Sequence, residues 1–213
     1  MTWVARRNED LILKGGTIAR VYEMRKWIAH APFCAGLVIA SIAWSSIDQA
    51  NAAPPLEGDM EGWLLQDSPT PAPEFAVTLP DGSDVVLDDF SGRLILMNFW
   101  ATWCAPCLEE MPSLDRLNAA FEGQPFEVVA ISVDRGGYRQ VEPAFDGMAI
   151  ETLRPYLDPA GGTPYLFEAV GFPTTVLIAP DGRVIGDYRG PAEWDTPEAR
   201  AFIDYYLAEF SGS

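Results

Sequence analysis

The chain has 213 residues, enough for one domain with extensions, and 48% apolar content with 12% aromatics is that of an ordinary globular core. The formal net charge is −17; residues 1–53 hold six Lys/Arg and four Asp/Glu, which leaves 8 and 27 for the remainder, a net of −19 with no Lys and no His. Such a surface repels polyanions and argues against nucleic-acid binding, while it serves solubility and at longer range steers basic polypeptides inward.

In chain order, Arg25-Lys26 precede an uncharged stretch from residue 27 to 47, and Ala50-Asn51-Ala52 follows. A basic start, an apolar middle and an A-x-A end form the pattern of a secretory signal. The stretch of 21 residues is also long enough for a membrane span. Residues 1–53 are therefore read as a signal peptide cleaved after Ala52, or alternatively as an uncleaved inner-membrane anchor. Residues 1–23 are long and mixed for an n-region, so translation is expected to start at Met24. The basic flank places everything beyond it outside the cytosol, in the periplasm or anchored facing it.

Residues 54–71 are rich in Pro and acids and are expected to form a solvated linker, with the folded domain at 72–213. Residues 75–79, Asp81-Gly82 and 85–87 predict a β-hairpin. The run 94–100 predicts a buried strand, and Leu108, Met111, Leu114 and Leu117 a helix reaching about Phe121, kinked at Pro112. A second buried strand is expected at 127–133, a helix at 138–148, a short strand at 153–158, a short helix at 163–170 and a strand at 176–178. Asp181-Gly182 predicts a hairpin into 184–188. Thr196-Pro197 opens a final helix, with Thr as N-cap and Pro at N1. Trp194 is read as a core residue.

Between the strand at 94–100 and its helix stands Cys104-Ala105-Pro106-Cys107. A thiol at a helix start faces unpaired N–H groups and the positive end of the helix dipole, both of which favour the reactive thiolate. Pro106 costs little there, because early helical N–H groups lack partners anyway. A structural zinc site needs about four ligands, and the other candidates, Cys34 and His30, lie in the segment expected to be removed. A structural bridge closing so short a loop adds little stability, which favours redox use without excluding the bridge. No cofactor beyond the dithiol is called for.

The segment Asn98-Phe99-Trp100-Ala101-Thr102-Trp103-Cys104-Ala105-Pro106-Cys107, with Pro112 and the downstream Gly171-Phe172-Pro173-Thr174, resembles the thioredoxin superfamily, and more narrowly the TlpA/ResA-like thiol–disulfide oxidoreductases. The resemblance spans roughly residues 72–210. It implies an α/β thioredoxin fold with an N-terminal β-hairpin and a central strand–helix insertion. It implies that Cys104 attacks a partner's disulfide and Cys107 resolves the mixed disulfide, and that Glu110 matches an active-site Glu of ResA-like members. Pro106, Phe172 and a cis Pro173 would receive the substrate chain, and Trp103 is either an apolar shelf for it or a structural ring capping the strand. Asn98 stands where cytoplasmic thioredoxins usually carry Asp. Protein disulfides, in cytochrome c maturation or copper-site assembly, would be the substrates, and a DsbD/CcdA-type membrane protein the electron donor. A thiol peroxidase and a copper(I) chaperone of the same fold are the alternatives.

Overall fold

The computed structural model describes residues 53–211. Apart from Ala53, the signal-or-anchor expectation falls outside them. No described helix is long and apolar enough to cross a membrane.

The strands are β1 (Trp63–Pro71), β2 (Ala76–Thr78), β3 (Asp84–Val86), β4 (Leu94–Trp100), β5 (Phe126–Ser132), β6 (Tyr156–Leu157), β7 (Thr174–Ile178) and β8 (Arg183–Arg189). The helices are α1 (Ala105–Ala120), α2 (Tyr138–Met148), α3 (Thr163–Leu166) and α4 (Pro197–Ser211). One mixed sheet runs in the order β1-β8-β7-β4-β5-β6-β2-β3. β4 pairs parallel with β5 and antiparallel with β7, and β5 pairs parallel with β6.

All seven residues of β4 are buried, as a strand covered on both faces requires. Their alternation builds two cores. Leu94, Leu96 and Trp100 join the core that holds Cys104, Cys107, Met111, Leu114 and Phe202 from α1 and α4. Ile95, Met97 and Phe99 join the other, with Phe75, Phe90 and Tyr156. Each such large side chain contributes about 1.5–3 kcal/mol by leaving water.

Two expectations need correction. The stretch 54–71 is not a linker: Gly58–Gly62 form a 3₁₀ turn and Trp63–Pro71 the edge strand β1, antiparallel to β8. Pro69 and Pro71 are tolerated because an edge strand leaves N–H groups unused on its outer side, and the pairing shifts register between Leu65 and Thr70. Trp63 anchors the strand by stacking on Phe202 at 5.0 Å and meeting Trp194 edge-on at 6.1 Å. Gly186 lets β1 approach, since a Cβ there would stand 2.7 Å from the Leu64 carbonyl oxygen. The insertion is also shorter than expected. Its strand is Tyr156–Leu157, and its helix stops at Leu166, where the chain reaches a left-handed Glu168 (φ 55°) that turns Ala169 inward and leaves Val170 exposed.

The insertion is tied to α1 by Asp115, whose carboxylate accepts hydrogen bonds from the backbone N–H groups of Glu151, Thr152 and Leu153 and from the Thr152 hydroxyl. Burial would push this carboxyl up, but the four donors outweigh it and hold it below its ordinary value of 3.8. A depressed carboxylate stabilises the fold above its unfolded pKa and loses that contribution as pH falls through the folded one. Asp115→Ala should cost about 1–3 kcal/mol at neutral pH and shed part of the acid sensitivity. Denaturant melts of the two proteins from neutral pH down to pH 3 would show the difference narrowing; a constant gap would contradict this role.

Candidate active site

Cys104 and Cys107 form a disulfide at the carboxyl end of β4, with Cα atoms 5.3 Å apart. Cys104 is the N-cap of α1, its carbonyl accepting the first helical bond from the Leu108 N–H at 3.1 Å. Ala105 and Pro106 fill the next two positions, where Pro lacks nothing the helix uses. Cys104 keeps 6% of its surface exposed, while Cys107 keeps none and sits within the core. The difference follows from a helix start: the cap lies at the rim and the residue one turn on points inward.

The loop ahead of the dithiol is held from β5. Asp134, just past the parallel neighbour of β4, accepts from the Thr102 N–H (2.8 Å), the Thr102 hydroxyl (2.7 Å) and the Ser132 hydroxyl (2.8 Å). Asp134 lies just beyond the strand expected at 127–133, and nothing local in the sequence marks it for this role. Trp103 is 67% exposed and meets the Phe172 ring edge-on at 5.9 Å. The Phe172–Pro173 bond is cis, and the Pro173 carbonyl accepts from Gly190. The Phe172 backbone N–H and C=O take no partner among the described residues.

Glu110, three residues beyond Cys107, is 2% exposed. Its Oε1 accepts from Asn98 Nδ2 (2.8 Å), and its Oε2 from the Ala192 N–H (3.1 Å) and the Trp194 indole N–H (3.0 Å). Burial pushes its carboxyl up to about 7, against the opposing pull of these donors, Trp194 first. A carboxylic group that titrates near neutrality can take and return a proton under ordinary conditions. Trp194 is core, as expected, and it is also a donor to this carboxylate. Its backbone N–H donates to the Ser113 hydroxyl, which in turn donates to the Glu110 carbonyl within α1. Asn98 Nδ2 also donates to the Thr175 hydroxyl (2.9 Å), and its buried Oδ1 has no partner among the described residues. A turned amide would present Oδ1 to a protonated Glu110, so Asn98 suits either state of the acid.

The structure thus brings Trp103, Cys104, Pro106, Cys107, Phe172 and Pro173 to one end of the sheet, with Glu110 buried on α1 three residues past Cys107. Glu109 is exposed. No group of three or more His, Cys, Asp or Glu among the described residues could hold a metal ion.

A strand-end dithiol at a helix N-cap, with a cis-proline loop beside it on a thioredoxin-type sheet, defines a thiol–disulfide exchange centre. The Redoxin family model matches residues 68–203, and the chain belongs to that family, within the thioredoxin superfamily. It is a thiol–disulfide oxidoreductase whose Cys104–Cys107 pair forms the active-site disulfide. Among its relatives is the thiol-disulfide oxidoreductase ResA of Bacillus thuringiensis subsp. konkukian, 32% identical over 125 residues that span 56% of this chain and 68% of that protein. A solved structure from Chlorobium tepidum, assigned as a thiol:disulfide interchange protein DsbE, is 30% identical, with a TM-score of 0.59 over 66% of this chain and 98% of its own. The exposed lipoprotein thioredoxin Etrx1 of Streptococcus pneumoniae shares the fold at 22% identity and a TM-score of 0.52, over 64% and 99% of the two chains.

Proposed function

We propose that the protein is a reductant of disulfides in exported partner proteins, periplasmic or membrane-associated, working through Cys104 and Cys107. The observation that carries this reading is the placement of the pair: Cys104 at the rim on a helix N-cap, Cys107 buried behind it, and a carboxyl titrating near neutrality one turn further on.

In the forward direction the Cys104 thiolate attacks one sulfur of a partner's disulfide. That S–S bond breaks, a Cys104–partner bond forms, and the partner's other sulfur leaves as thiolate and takes a proton. Cys107 gives its proton to the Glu110 carboxylate and attacks Cys104. The Cys104–Cys107 bond forms and the second partner sulfur leaves. Two electrons have moved to the partner, and the oxidised pair needs re-reduction. Trp103, Pro106, Phe172 and Pro173 form the receiving edge, where the free Phe172 backbone groups suit an extended chain laid alongside like an added strand. The relation to ResA/DsbE-type proteins supports apocytochromes c or copper-site assembly proteins as the partner class, and a DsbD/CcdA-type membrane donor for the electrons. The signal-or-anchor reading of residues 1–53 and the domain at 72–213, now extended through β1, fit that setting.

Capture tests the reading. Full-length Cys107→Ser, produced in its host, should hold partner proteins covalently through Cys104 in adducts that dithiothreitol releases. Absence of any adduct beyond the Cys104→Ser background would overturn it.

A further inference from the structure

Beside the disulfide runs a groove of about 580 Å³. Its walls are Trp103 and Phe172, the loop after β5 with Val133 and Arg135, and the insertion with Tyr165 and Val170. Its apolar character is concentrated. Of the six large hydrophobic residues exposed among the described ones, Trp103, Tyr165 and Val170 line this groove and Leu166 lies on the same turn. Scattered exposed apolar residues need no explanation, whereas a cluster against a reactive centre marks a contact surface.

The charges favour one kind of occupant. Of the eight arginines among the described residues, six are engaged: Arg93, Arg116, Arg183 and Arg189 in ion pairs, Arg154 over the Tyr156 ring, and Arg200 on the Asp195 carbonyl. Arg135 and Arg139 have no such partner among the described residues, although the domain carries more than three acids for every arginine. Arg135 lines the groove. The groove's carboxylate, Asp134, is buried and turned onto Thr102 and Ser132, so it does not neutralise Arg135 by direct pairing. A second copy of the chain is disfavoured as occupant, since both molecules carry a net −17.

We propose that this groove receives an extended segment of the disulfide-bearing partner protein, next to the cysteine that Cys104 attacks, with an apolar side chain against Tyr165 and Val170 and an acidic side chain against Arg135. This inference rests on the exchange reading above and adds a specificity element to it. The domain's overall charge attracts basic partners from a distance; Arg135 selects locally for an acid beside the reacting cysteine.

The test uses the reduced full-length protein and short synthetic peptides. Each peptide carries one cysteine as a disulfide with mercaptoethanol, one Leu, and Asp or Lys walked along either side of the cysteine. Second-order exchange rates are read by stopped flow, with uncharged hydroxyethyl disulfide as the reference substrate. At one position Asp should react about three- to tenfold faster than Lys, a preference that shrinks with added salt. Arg135→Glu should invert it, while Arg183→Glu, the same charge change at the end of β8 away from Thr174 and the cis-proline loop, should leave the wild-type ratio. An Asp-to-Lys ratio equal in wild type and Arg135→Glu at every position overturns the groove assignment, as does an equal shift from Arg183→Glu. If hydroxyethyl disulfide reacts while the ratios stay flat, the groove assignment alone falls. If nothing reacts, the exchange reading falls with it.

Discussion

Cys107→Ser should convert the protein from a turnover enzyme into a trap, and Cys104→Ser should leave neither activity. The asymmetry follows from where α1 begins. Cys104 is the cap residue, so its sulfur lies at the rim when the bridge opens, and the helix start stabilises it as thiolate. Cys107 is one turn on and wholly buried among Met111, Leu114 and their neighbours. On this geometry a partner's disulfide should reach Cys104 only, and Cys107 should meet only the mixed disulfide once it has formed. In Cys107→Ser the first step survives, the second cannot occur, and multiple-turnover reduction falls to the uncatalysed background while the adduct accumulates in stoichiometric amount. The buried hydroxyl costs about 1–3 kcal/mol, which a domain with two cores tolerates. The assay is reduction of a peptide disulfide, followed in parallel by mass of the intact protein. A trap that forms equally through Cys107 in Cys104→Ser would reverse the assigned roles.

Glu110→Gln is expected to slow exchange by roughly a hundredfold at pH 7, at the lower end of what a positioned proton acceptor contributes. The wild-type rate should carry an ionisation near pH 7, where burial places the Glu110 carboxyl, and the Gln variant should lose it. Stability should move the other way. A carboxyl whose folded pKa is raised from 4.5 to about 7 contributes its full stability below pH 4.5 and loses it as pH rises through 7. The neutral amide escapes that loss, so above pH 7 the variant gains up to about 3 kcal/mol on the wild type, less any hydrogen bonding it fails to reproduce. Trp194→Phe separates position from presence. It keeps the acid but removes the indole donor to Oε2, so the kinetic midpoint should shift to higher pH with catalysis retained. Exchange rates of Glu110→Gln that match wild type across pH 5–9 would remove Glu110 from the chemistry. In the proposed mechanism activity is bought with stability, as expected of a buried ionisable group at a working site.

The thioredoxin-type framework could be read along the chain because its signals are local. β4 is apolar throughout but for Asn98, α2 spans the residues 138–148 expected for it, and Thr196 caps α4 through the Ala199 N–H as its hydroxyl suggested. The cysteines announced themselves by spacing and by the strand-to-helix junction. What escaped was non-local. Trp63-Leu64-Leu65 is too short an apolar run, and too close to prolines, to declare an edge strand before β8 and Gly186 are in place beside it. Glu110 was visible as a helical neighbour of Cys107, but its donors Ala192 and Trp194 lie more than eighty residues away, across the loop that leads into α4. Asp134 carried no local signal, because its partner Thr102 meets it only when β4 and β5 pair in parallel. Arg135 gains its meaning only from the groove that the insertion closes around it.

The most direct test of the central claim is the redox state of Cys104 and Cys107 in living cells, fixed by acid quenching and read by thiol alkylation of the full-length protein. A reductase served by a dedicated donor is predicted to hold the pair mostly reduced outside the cytosol, and to shift to the disulfide when the donor is removed. A pair that is mostly oxidised in the steady state, and indifferent to loss of any donor, would contradict the reductant reading and make the protein a supplier of disulfides or the holder of an idle bridge.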